Sequence, residues 1–90
     1  YLRALLALAK AHEERGEYDQ SLECYERVLA VDNSLEEVHA RVLRCYAERG
    51  DGTLVREHYH RYTDWLEREL GAAPSPKLVK NYRQLVQELN

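Results

Sequence analysis

The chain has 90 residues, 44% of them apolar and 32% charged, with a net charge of −3 at neutral pH. This describes one small soluble domain with a thin core, since a chain of this length buries only about 60–65% of its unfolded surface. A membrane span is excluded because no apolar run reaches ~20 residues. The opening also lacks the basic start and apolar middle of a secretory leader. Cys24 and Cys45 have no closely spaced Cys or His partners, which excludes a disulfide framework and a structural zinc site.

Leu2, Leu5, Leu6 and Ala9 recur at helical spacing and predict a first helix. The chain opens at Tyr1 inside this pattern and contains no methionine, so it reads as a piece of a longer protein. Gly16 sits just past the helix end, where a left-handed residue closes the last turn and glycine adopts it without a Cβ penalty. Tyr18, Leu22, Tyr25 and Leu29 predict a second helix that ends near Asp32-Asn33. Ser34-Leu35-Glu36-Glu37 then reads as a capping box, the Ser34 hydroxyl and Glu37 carboxylate satisfying orphan amides at the next helix start.

The third helix carries Leu35, Val38, Val42 and Tyr46 on one face and closes at Gly50. Asp51-Gly52-Thr53 opens the fourth less cleanly, and Val55, Tyr59, Tyr62, Leu66 and Leu70 continue it to Gly71. After Ala72-Ala73-Pro74, Ser75 is an N-cap with Pro76 at the first helical position, where its missing N–H costs nothing. Leu78, Tyr82, Leu85 and Leu89 line one face of a fifth helix. Glu23/Arg27, Glu37/Arg41, Glu57/Arg61 and Asp64/Arg68 place an acid four residues before a base, which marks these faces as solvated.

The two halves repeat. Glu14-Arg15-Gly16 recurs as Glu48-Arg49-Gly50, and Glu23, Tyr25 and Arg27 recur as Glu57, Tyr59 and Arg61, all at an offset of 34. That period belongs to a helix–turn–helix unit that must stack to bury its apolar face. The fold expected is all-α: a right-handed, tetratricopeptide-like stack of two helix hairpins plus a C-terminal capping helix. It divides into a first helix pair (1–33), a second pair (34–70), a linker (71–76) and the capping helix (77–90). The N-terminal side lacks a cap, which would leave Leu2, Leu5 and Leu6 partly exposed, so either a preceding helix or a partner chain, such as a second copy in a homodimer, is expected to cover it.

The unit resembles the tetratricopeptide repeat. Leu8 and Val42 fall at its large apolar position in the first helix, and Tyr18, Tyr25, Val28 and Leu29 at packing positions in the second. Leu5 and His39 stand where an aromatic is usual, and Asn33 replaces the closing proline. A narrower likeness lies in Tyr62-Thr63-Asp64-Trp65-Leu66-Glu67-Arg68-Glu69-Leu70-Gly71, Pro74-Ser75-Pro76 and Tyr82, with Ala4 to Ala9 and Gly16-Glu17-Tyr18 upstream. This resembles the bacterial transcriptional activator domain of antibiotic-pathway regulators, whose long helix ends in L-x-x-E-L-G followed by P-S-P and a final helix. The resemblance implies a cytoplasmic regulatory module that follows a winged-helix DNA-binding domain or forms part of a larger multidomain signalling regulator.

The tetratricopeptide likeness also implies a partner-binding groove lined by Arg3, Leu6, Lys10, Glu13, Glu37, Ala40, Arg44 and Glu48. A carboxylate clamp needs several convergent cations, and here Leu6, Glu13, Ala40 and Glu48 interrupt them. Trp65 is the candidate interface anchor. His58 and His60 point about 200° apart on a helix and cannot share a metal, so they read as surface or capping histidines. Cys24 and Cys45 read as small buried hydrophobes. No nucleophile–base constellation or phosphate loop is present, so neither catalysis nor a cofactor is expected.

Thirteen basic residues against sixteen acidic argue against direct nucleic-acid contact. Lys77, Lys80 and Arg83 read as a solvated face of the last helix. The function expected is a protein-interaction and regulatory module of a bacterial transcriptional regulator. It would dock on its own DNA-binding domain, a second copy or the transcription machinery. A generic peptide-binding adaptor unrelated to transcription is the alternative.

Overall fold

Apolar periodicity becomes five helices: α1 (Leu2–Glu14), α2 (Tyr18–Val31), α3 (Glu36–Glu48), α4 (Gly52–Leu70) and α5 (Pro76–Leu89). The structure is a computed structural model that describes residues 1–89; Asn90, the last residue of the expected capping helix, lies outside the described residues. No strand occurs among the described residues. The helices pack in chain order, α1 on α2, α2 on α3 and α3 on α4, and α5 returns to cover α3 and α4. The result is the tetratricopeptide-like stack of two hairpins and a capping helix.

The turns inside the two hairpins are built alike. Gly16 and Gly50 take φ of 75° and 74°, and the amides that follow bond back to the helix, Glu17 N–H to the His12 carbonyl and Asp51 N–H to the Tyr46 carbonyl. α5 starts one residue earlier than 77, because Pro76 is already helical and the Ser75 hydroxyl accepts the Leu78 amide at 3.2 Å.

Two helix starts differ from expectation. The Ser34–Glu37 capping box does not form: the cap position of α3 is Leu35, and the Ser34 hydroxyl donates to Asp32 at 2.6 Å. Asp32 offers a carboxylate two residues away, a closer partner than the helix amides, and this hydrogen bond holds the Asp32 carboxyl below its ordinary range. The start judged less clean is the well-capped one, since Asp51 accepts the Leu54 amide at 3.2 Å.

The core runs through the middle of the stack, with Tyr25, Val28, Val42, Leu43, Cys45 and Val55 fully enclosed. Both cysteines are buried free thiols, and burial pushes Cys45 up to about 11, so the sulfur stays protonated. The repeat-equivalent pair Leu8 and Val42 diverges: Val42 is fully buried on α3, a helix packed against α2, α4 and α5, whereas Leu8 is 49% exposed on a helix that packs chiefly against α2. Leu5, expected to be partly exposed, is buried with Ala9 against α2, while Leu2 and Leu6 are half-buried. Leu70 is also exposed, past the last turn of α4 that the core covers.

Candidate interaction surface

Between α3 and α5 lies an open cleft of about 510 Å³, within the range of ligand clefts. Each wall is a helical stripe. α3 presents Glu37, Ala40, Arg41 and Arg44, and α5 presents Lys77, Lys80, Asn81 and Gln84, both at the i, i+3, i+4, i+7 spacing that puts side chains on one face. Leu78 and Ala40 supply the apolar part, and Glu36 and Ser75 close one end.

Glu36 builds that end. One carboxylate oxygen accepts the Ser75 amide at 3.0 Å, and the other accepts the Tyr62 hydroxyl at 3.0 Å. The N-terminus of α3 thereby anchors both the linker before α5 and the middle of α4. Burial and the Glu36 carboxylate push the Tyr62 hydroxyl far up, so the phenol remains a donor.

Arg41 does not pair with Glu37, four residues before it, but reaches across to Glu13 on α1 at 3.3 Å. Glu13 also accepts the Tyr25 hydroxyl at 2.8 Å and is largely enclosed, so one carboxylate joins α1, α2 and α3. A partly buried partner outcompetes a solvated neighbour on the same helix because less water screens the attraction. Of the four expected i, i+4 ion pairs, only Glu23–Arg27 closes among the described residues, at 3.6 Å. Arg68 bonds the Asp64 carbonyl instead, and Arg61 turns toward His58.

Of the eight expected groove residues, Glu37, Ala40 and Arg44 line this cleft. Arg3, Lys10 and Glu48 are exposed outside it, Leu6 packs at the edge of the core, and Glu13 is engaged as described. Trp65 is half-buried against the core with its ring 6.4 Å from that of Tyr62.

Lys77 and Lys80 are exposed, as a solvated face requires, and they also form one wall of the cleft. The 77, 80, 81, 84 spacing was the available signal, but only the α5 docking angle tells which face meets α3. Tyr59 meets Tyr82 of α5, the rings stacked at 3.7 Å and nearly parallel.

His58 is not a surface residue. It is buried under α3, its Nε2 2.9 Å from Nδ1 of His39, whose Nε2 lies 2.8 Å from the Asn33 carbonyl. The His39 ring stacks on Tyr62 at 3.7 Å. Burial lowers both imidazoles below their ordinary range, His58 to about 4, with His39 and Arg61 adding to the effect. These polar groups are internal fasteners, and no group of three or more metal-ligating side chains is assembled among the described residues. Among the described residues no helix is long and apolar enough to cross a membrane.

The fold is thus a tetratricopeptide-like helical stack with an open, mixed-charge cleft between α3 and α5. The chain belongs to the bacterial transcriptional activator domain family, whose model matches residues 1–86. No curated protein and no solved structure matches it. Family membership supports a role in bacterial transcriptional activators, and the family is a regulatory one.

Proposed function

We propose that this domain regulates a bacterial transcriptional activator by protein–protein docking: on the regulator's own DNA-binding domain, on a second copy or on the transcription machinery. The observation that carries this reading is the α3–α5 cleft. Its walls hold Arg44, Lys77 and Lys80, which form no ion pair among the described residues, in a chain whose net charge is −3. Such a surface is available for intermolecular contact, whereas the buried polar groups are already satisfied within the fold.

The test is promoter output in cells, read with a reporter, for the regulator with and without this domain and with Arg44→Glu in the cleft. Removal of the domain is expected to abolish controlled output, and the point variant to reduce it while the protein remains at normal abundance. Unchanged promoter control in the regulator lacking the domain would overturn the proposal.

A further inference from the structure

We infer that the α3–α5 cleft is a binding site for an acidic peptide segment of a partner protein. The inference rests on the docking role proposed above and assigns that docking a place and a chemistry.

The charge balance of the cleft opposes that of the chain. Four cationic side chains line it against two carboxylates, while the whole molecule carries −3. Internal bonds engage one group of each sign. Both Glu36 oxygens are occupied by Ser75 and Tyr62, and Arg41 is held by Glu13. Arg44, Lys77 and Lys80 remain, from two helices that face one another across the opening. An incoming carboxylate gains charge-assisted hydrogen bonds there without breaking any bond the fold uses. Glu37, on the same rim, repels an acid placed against it and so biases the register of the bound segment.

The other lining groups suit a polypeptide. Asn81 and Gln84 each offer an amide donor and an acceptor, which match the N–H and C=O groups of a main chain. Ala40 is small and leaves room for close approach, and Leu78 supplies an apolar contact. A nucleic acid is the poorer fit. Single strands need aromatic platforms for base stacking, and no aromatic residue lines this cleft. Tyr59 and Tyr82 are stacked on each other, and Trp65 lies beside Tyr62. Phosphate-backbone binding also draws on many cations, and the excess of acidic residues weakens it.

The experiment is fluorescence anisotropy on the chain with a labelled decapeptide of alternating glutamate and leucine. The lysine–leucine counterpart and a single-stranded oligonucleotide of matched charge serve as controls. The acidic peptide is expected to bind, and the Arg44→Glu/Lys80→Glu pair to weaken it by about tenfold or more. Arg83→Glu, an equal charge change on α5 outside the cleft, should leave binding within about twofold. If charge reversal disturbs the helical circular dichroism, Arg44→Gln/Lys80→Gln decides instead.

Absence of acidic-peptide binding, equal loss with Arg83→Glu, or preference for the oligonucleotide would each overturn the assignment. The promoter assay is independent of this result. A domain that is required for transcriptional control yet fails to bind the peptide refutes the cleft assignment alone.

Discussion

Nε2 of His58 on α4 lies 2.9 Å from Nδ1 of His39 on α3, and the groups at either end of the pair dictate where each proton sits. The Asn33 carbonyl can only accept, so His39 Nε2 carries hydrogen and the neutral ring presents a bare Nδ1. His58 Nε2–H therefore donates to it, leaving His58 Nδ1 bare toward the Arg61 guanidinium, 3.4 Å away, which can only donate. Protonating either ring sets donor against donor in a buried site.

The pair makes stability depend on pH with a definite sign. His58 is pushed down to about 4 in the folded state from an ordinary value of 6.5, so between these values the unfolded chain binds more protons. Its contribution is fully present above pH 6.5 and is lost as pH falls toward 4. By pH 5 the loss from His58 is about 2 kcal/mol. His39 acts in the same direction through its own burial, opposed in part by Glu36 and by its bond to Asn33. Urea unfolding at pH 7.5 and pH 5 measures the effect. His58→Gln, whose amide can still donate to His39, should flatten the slope, and an unaltered slope would show that the pair does not titrate this way.

Glu13 joins three helices, so its removal should cost more than a surface charge does. Glu13→Ala leaves the Tyr25 hydroxyl and the Arg41 guanidinium without their acceptor. A loss of about 2–3 kcal/mol in urea unfolding is expected. Glu13→Gln keeps an acceptor for Tyr25 and should lose less. Equal losses in the two variants would contradict the hydrogen-bond account.

Gly50 tests backbone conformation in isolation. Its φ is +74°, and a Cβ placed there would meet nothing within 4 Å. Gly50→Ala should therefore destabilise by about 1 kcal/mol through the left-handed conformation alone. Gly50→Asn should lose less, since asparagine tolerates that region better. Thermal melts that rank the two variants in the opposite order would point to packing instead.

The two helix starts give a paired comparison. Asp51→Ala removes the acceptor for the Leu54 amide and should lower stability by about 1 kcal/mol. Ser34→Ala leaves the α3 amides as they were, because Ser34 bonds Asp32 rather than the helix, and should cost less. Denaturant melts of the two single variants decide, and a larger loss for Ser34→Ala would mean that the capping box operates after all.

Local sequence accounts for the helices, their order and the two glycine turns. Apolar spacing, Gly16 and Gly50 at left-handed φ, and the Ser75–Pro76 start each act within a few residues, where backbone sterics and local hydrogen bonds decide. The repeat further implied stacking, and the motif at the end of the long helix pointed to the family. Which partner each polar side chain takes depends on packing between helices. Glu13 stands 28 positions from Arg41, Glu36 stands 39 from Ser75, and His39 stands 19 from His58. Those separations lie beyond the reach of any helical periodicity. Arg41 could turn to Glu37 or to Glu13 until packing set the helix angles and burial strengthened one choice over the other.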